Sequence, residues 1–211
     1  MARIEPFEKH YQEYEAWFSN NRFVYESELE AVKQLIPANC KGLDIGVGSG
    51  RFATPFGIKH GVDPSNEMAS YARKLGIEVR DGIAEDLPYS DSEFDYALMV
   101  TTVCFLDDIM TAMKEANRVL KPDGSLIIGL IDRESPLGKI YQKYKKDNPF
   151  YKVATFYSVE EILSNMRKGG FDDFEFRQTI FRDLSEIKER EVVLDGYGKG
   201  SFVAIKGTKR K

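Results

Sequence analysis

Seven short apolar runs lie along this chain, most of them separated by amphipathic stretches, and this alternation narrows the accessible folds more than any other feature. The runs are "KGLDIG", "IKHGVD", "IEVRD", "FDYALMV", "GSLIIGLID", "FEFRQTIF" and "SFVAIKG". Apolar segments of that length, separated by helical periodicity, read as strands of a parallel sheet buried on both faces. "NEMASYARKLG", "DDIMTAMKEANRVLK" and "SVEEILSNMRKGG" supply helices, the last opened by a serine and closed by Gly-Gly. Only a long loop separates the last two runs, with no crossover helix, so that pair must be antiparallel. The expected sheet is therefore mostly parallel, with an antiparallel edge.

Ahead of the first run, "FEKHYQEYEAWFSN" puts Phe7, Tyr11, Tyr14 and Phe18 at spacings of three and four. This predicts a helix with one aromatic face. "SELEAVKQLI" predicts a second helix, with Ser27 as N-cap, Glu30 three residues on, and Pro37 and Asn39 ending it. Tyr14 and Phe18 are read as packing residues. Tyr11 and Trp17 are candidates for ligand contact, in a possible lid with Phe23 and Tyr25.

The first run ends in "LDIGVGSGRF", with glycines at 46, 48 and 50. In open α/β sheets ligands sit beyond the carboxyl ends of the strands, at such loops. Gly46 and Gly48 would admit backbone angles closed to other residues and let a ligand touch the chain. Gly50 is expected to open a helix kept short by Pro55, its free N–H groups favouring an anionic group. Asp63 ends the second run in "GVDPS", where two carboxylate oxygens can take both hydroxyls of a ribose. Loop and acid together point to an adenosine-type ligand. A dinucleotide site would space its glycines G-x-G-x-x-G. Here the spacing is G-x-G-x-G, and Asp44 would repel a pyrophosphate. A carboxylate there could order the loop amides or attract an ammonium, which favours a ligand carrying a positive amino group.

The bulk numbers exclude several alternatives. A length of 211 residues suits one domain, and 42% apolar with 30% charged residues describes a soluble globular chain. A net charge of -4 argues against a general nucleic-acid binder. No apolar run approaches the ~20 residues of a membrane span, and the N-terminus does not read as a signal peptide. Two cysteines, Cys40 and Cys104, fit a reducing compartment, so the expected location is cytoplasmic. They fall at opposite ends of adjacent parallel strands, beyond the ~7 Å reach of a disulfide, and none is expected.

"LDIGVGSGRF", "GVDPSNEMASYAR", "AEDLPYSDSEFDYALMV" and "EANRVLKPDGSLIIGLID" resemble, in order and spacing, the class I S-adenosylmethionine-dependent methyltransferases, most closely the type 11 group. The likeness covers roughly residues 40–132, and "FYSVEEILSNMRKGGF" extends it. It implies a Rossmann-like α/β fold: a seven-stranded, mostly parallel sheet with the last strand antiparallel, helices on both faces, and here extra N-terminal helices. It also implies S-adenosylmethionine as co-substrate, with no metal. Carried over by position, Gly46, Gly48 and Gly50 would line the methionine part, and Asp44 would hold the loop or the amino group. Asp63 would take the ribose, with Pro64 beside the adenine. Ala84 and Glu85 would meet the adenine edge, and Val100 and Thr101 would pass beneath the methionine. This sequence departs from many relatives at Ile83, where an acid commonly stands, and at Cys104 and Phe105, where some carry histidines.

Few residues offer themselves as a base. His60 is read as structural, His10 as a weak candidate, and no catalytic residue is assigned. "RESPLGKIYQKYKKDNPFYKVATFYS" alternates Lys139, Lys143, Lys145 and Lys146 with Tyr141 and Tyr144. It reads as a cover over the acceptor site or as a helix with a wet lysine face. The Lys-Arg-Lys tail is expected to be disordered. The resulting expectation is a single domain. Residues 1–38 form a helical cap, 40–132 a cofactor-binding core, and 133–211 a substrate-side segment with the closing strands. Its activity is methyl transfer to a small molecule, mainly by positioning. The rival readings are a non-catalytic S-adenosylmethionine-binding regulator, a methyltransferase of tRNA or protein, and, last, a NAD-dependent oxidoreductase. Oligomeric state is not legible.

Overall fold

The computed structural model describes residues 3–210. All seven apolar runs form strands: β1 (Gly42–Ile45), β2 (His60–Asp63), β3 (Glu78–Asp81), β4 (Phe94–Val100), β5 (Leu120–Ile131), β6 (Phe171–Thr179) and, after a further two-residue strand β7 (Leu194–Asp195), β8 (Phe202–Lys209). The sheet order is β3-β2-β1-β4-β5-β8-β6-β7. The first five strands pair in parallel. The final strand β8 runs antiparallel to both β5 and β6, inserted between them, as two strands without a crossover helix require. The short β7 adds an antiparallel outer edge to β6.

Buried side chains divide into two cores, one on each face of the sheet. One contains Leu43, Ile45, Met99 and Met113 under α5 (Ile109–Val119) and α8 (Val159–Lys168); the other contains Leu98, Ile127, Phe202 and Ala204 under α3 (Arg22–Lys33) and α4 (Asn66–Lys74). Ser65, Asp108 and Ser158 cap the N-termini of α4, α5 and α8, and Ser158 forms a full capping box with Glu161. Such caps contribute about 1 kcal/mol each. They start α4 and α5 just beyond the carboxyl ends of β2 and β4.

The N-terminal region departs from its sequence reading in two ways. The first expected helix is two, α1 (Glu5–Lys9) and α2 (Tyr11–Asn20), broken at His10, whose φ of -120° and ψ of 31° are not helical. Ser27 caps nothing. It lies inside α3, fully buried, donating to the carbonyl of Phe23 at 2.6 Å and accepting from the amide of Glu191 at 2.9 Å. This serine ties the helix to a distant loop.

Residues 51–57 form successive turns, so the helix expected after Gly50 is absent. Pro55 and the left-handed Gly57 (φ 68°) fall within that stretch, where neither supports a helical ladder. The basic tail is ordered as far as Arg210. Lys209 ends β8 and donates to the carbonyls of Asn117 and Leu120, both at 2.7 Å, and Arg210 pairs with Asp172. Lys211 lies outside the described residues. Both cysteines are free thiols.

Candidate active site

The carboxyl ends of β1, β2, β4 and β5 open into a cavity of about 350 Å³. Residues of α1, α2 and α3 close over it from the N-terminal side. From the other side it is covered by α6 (Pro136–Lys143), α7 (Pro149–Val153) and the segment that follows. Of the residues singled out in the sequence, Gly46, Gly48, Asp63, Pro64, Ala84, Glu85, Val100 and Thr101 line it, whereas Tyr11, Asp44 and Gly50 do not.

The three loop glycines all have positive φ, at 76°, 54° and 87°, but they serve different ends. A Cβ on Gly46 would come within 2.4 Å of the Thr102 methyl, and one on Gly50 would meet Ile77 at 2.8 Å. At these two positions it is the chain's own packing that excludes a side chain. A Cβ on Gly48 would meet only Met68 at 3.4 Å and the Tyr14 hydroxyl at 3.5 Å. Gly48 is therefore the loop glycine whose main chain borders the cavity without a clash behind it.

Asp63, not Asp44, orders this loop. One oxygen of Asp63 accepts the amide of Gly48 at 2.7 Å and the other accepts the amide of Ser65 at 2.8 Å. Each oxygen keeps a second lone pair for a further donor. Burial raises its pKa to about 6, against the pull of those two amides. Asp44 is buried beneath the loop and accepts no hydrogen bond among the described residues; burial, with the nearby Asp63 carboxylate, pushes it up to about 8. The loop amides of Gly46 and Val47 go instead to the carbonyl of Val62.

The N-terminal helices are fastened to this loop. Glu15 of α2 accepts from Ser49 at 2.5 Å and pairs with the Arg51 guanidinium, and Glu8 of α1 accepts from Ser65 at 2.6 Å. Arg3 donates to the Val153 carbonyl and the Thr155 hydroxyl, both at 2.8 Å. Phe7 then packs edge-on against Phe105 and near Phe150. The break at His10 redistributes the aromatic face. Tyr14, Trp17 and Phe18 border the cavity, while Tyr11 stacks on Tyr71 at 3.8 Å away from it. Burial holds Tyr14 well above the usual phenol range, so it is a neutral donor.

On the opposite wall, Glu85 accepts the amides of Asp107 and Asp108, shaping the loop after β4. Thr101 starts that loop at φ 53°. Ile83, Cys104 and Phe105 all border the cavity, and burial pushes the Cys104 thiol up to about 12, so it offers no thiolate at neutral pH. His10 is paired with Glu13, and His60 sits at the far end of β2 against Phe94; neither reaches the cavity. In the segment after β5 the aromatic residues Tyr141, Phe150, Tyr151, Phe156 and Tyr157 line the cavity and the lysines do not.

Sequence reasoning missed Glu28. It lies on the buried face of α3 with Val24, Ala31 and Val32, is 4% exposed, and borders the cavity. The signal was available: a carboxylate at a helical spacing otherwise filled by apolar residues. Among the described residues no group of His, Cys, Asp or Glu is arranged to hold a metal ion, and no helix is long and apolar enough to cross a membrane.

A parallel sheet with a reversed last strand, a glycine loop after β1 and a carboxylate at the end of β2 define the Rossmann-like class. Comparison with known proteins narrows it. A methyltransferase domain family model matches residues 43–128. The crystal structure of a Thermotoga maritima protein, described as an S-adenosylmethionine-dependent methyltransferase and possible histamine N-methyltransferase, superposes with a TM-score of 0.96 at 53% identity. It covers 99% of this chain and 100% of its own. A Methanocaldococcus jannaschii protein is 47% identical over 203 residues, 96% of this chain and 98% of that one. Chlorobaculum parvum demethylmenaquinone methyltransferase is 35% identical over 155 residues, covering 69% of this chain and 64% of the relative. The chain belongs to the class I S-adenosylmethionine-dependent methyltransferases of the type 11 group, and is an enzyme.

Proposed function

We propose that this enzyme transfers the methyl group of S-adenosylmethionine to a small-molecule acceptor within the cavity, acting chiefly by positioning. The observation that carries this reading is the pairing of Gly48, which borders the cavity, with Asp63, whose two oxygens hold the loop and retain lone pairs. These groups fit an adenosyl sulfonium: main chain without a Cβ beside the methionine moiety, and a carboxylate for the ribose hydroxyls. Pro64, Ala84 and Glu85 would border the adenine, and Val100 and Thr101 the methionine. Asp44, charged once a cation is near, would favour the amino group from beneath the loop. Gly50 acts through packing, and Tyr11 only through its stack on Tyr71.

Transfer is an in-line displacement at a sulfonium whose leaving group is already good. Orientation of the two reactants can supply roughly 7–11 kcal/mol of the barrier. The helices over the cavity serve that end by excluding water and confining the acceptor. One domain would do all of this, with residues 1–38 as cap, 40–132 as cofactor core and 133–211 as acceptor wall and closing strands. The relatives' names point to different acceptors, so the acceptor must be argued from this chain's own lining. Calorimetry with S-adenosylmethionine and S-adenosylhomocysteine, followed by a metabolite screen for methylated product, tests the reading. Saturable binding of both with turnover of a small acceptor is expected. Binding without turnover of any acceptor would favour a regulator, and no binding would defeat the proposal.

A further inference from the structure

Glu28 borders the same cavity but is not among the residues assigned to the cofactor. Its carboxylate is 4% exposed, borders the cavity, and has neither hydrogen bond nor ion pair among the described residues. A buried carboxylate without a partner is expensive, and structures that keep one normally give it a cation to meet. Its surroundings describe that cation. Tyr141 of α6 and Tyr151 of α7, stacked on each other at 4.3 Å, line the same cavity as Glu28. Burial holds Tyr141 far above the usual phenol range and raises Tyr25 to about 12, so both stay neutral around the acid. An uncompensated carboxylate in a cavity also lined by Phe7, Tyr14, Trp17, Phe150 and Tyr151 suits an organic ammonium that carries an aromatic group, with charge met by the acid and rings by the lining.

We propose that Glu28 is the acceptor-binding residue and that the acceptor is a small arylalkylamine entering as its ammonium. This rests on the methyl-transfer reading. Glu28 pairs with the R–NH3+ group and takes one of its protons, leaving R–NH2 with a free lone pair. That lone pair forms the N–C bond to the methyl carbon as the S–C bond breaks and its electrons remain on sulfur. The product departs as R–NH2CH3+, and Glu28 returns its proton to solvent. Raised to about 8 by burial, the carboxyl is suited to exchange a proton near neutral pH.

The test is calorimetry at pH 8 on the enzyme saturated with S-adenosylhomocysteine. The probes are tryptamine and 2-phenylethylamine, with tryptophol and 2-phenylethanol as uncharged counterparts. The wild type should bind at least one amine ten times more tightly than its alcohol, releasing protons in proportion to the fraction of Glu28 neutral beforehand. Glu28→Gln should weaken that amine at least tenfold, abolish the proton release and erase the preference over the alcohol. Its affinity for S-adenosylhomocysteine should stay within twofold. Equal amine binding by wild type and variant, or no amine binding by a wild type that binds S-adenosylhomocysteine, overturns the proposal alone. A wild type that does not bind S-adenosylhomocysteine overturns the cofactor reading as well.

Discussion

The two walls of the cavity are built from different material. The wall at the strand ends is shaped by main chain: glycines at positive φ, strand ends, and amides gathered by Asp63 and Glu85. The opposite wall is side chains, drawn from α2 and α3 and from α6 and α7, two pairs of helices more than a hundred residues apart in sequence. A wall of backbone tolerates little change, because each position is fixed by a turn or a close approach. A wall of side chains can be altered residue by residue without disturbing the sheet. On the proposed function, the first wall would hold what every member of the class must bind, and the second what distinguishes one member from another.

The largest effect should come from the backbone wall. Gly46→Val forces a β-branched residue to φ 76° and into the Thr102 side chain at 2.4 Å. We expect a loss of roughly 3 kcal/mol or more in stability, with cofactor binding undetectable; a melting temperature within a few degrees of wild type would contradict it. Asp63→Ala comes next. It strands the amides of Gly48 and Ser65, at about 1–3 kcal/mol apiece, and should weaken S-adenosylmethionine at least tenfold in a protein that still folds. Wild-type affinity should itself decline as pH falls through about 6, where Asp63 takes up its proton; a flat profile from pH 7 to 5 would remove Asp63 from the ligand.

A smaller effect compares the buried acids of the two walls. Asp44 and Glu28 are each raised to about 8 by burial, from ordinary values of 3.8 and 4.5. Between those limits the folded protein binds more protons than the unfolded chain. The stability these two groups contribute is therefore fully present below about pH 4 and is lost as pH rises toward 8, by up to about 1.4 kcal/mol per pH unit for each group. The melting temperature of the unliganded enzyme should drop between pH 6 and 8.5, and Glu28→Gln should remove roughly half of the drop. If the variant and wild type melt in parallel, Glu28 is not the uncompensated acid described here.

The contrast between the walls also explains what could be read from sequence. Strands β1 to β6 and β8 were legible because apolar runs of that length have few other uses. That Gly48 and Asp63 meet at the cavity was legible because a loop and the next strand end are close in both sequence and space. The loop's internal assignment was less so. Asp63 rather than Asp44 gathers the amides, and Gly50 packs on Ile77 instead of opening a helix, since both depend on neighbours brought in by the sheet. The N-terminal periodicity misled at His10, where a break too small to mark the sequence turned Tyr11 outward to Tyr71 and left Tyr14 at the cavity. Ser27 has the composition of a cap but meets Glu191, 164 residues away, a contact no local pattern carries. Glu28 alone was available as an anomaly on an apolar stripe.

The account depends most on the space beside Gly48 being the seat of the adenosyl sulfonium. The direct measurement is a crystal structure of the enzyme soaked with S-adenosylhomocysteine. We predict the ligand in the cavity, its thioether chain across Gly46 and Gly48 and both ribose hydroxyls within hydrogen-bonding distance of Asp63. A ligand ordered elsewhere on the protein, or seated in the cavity with its ribose turned away from Asp63, would contradict it.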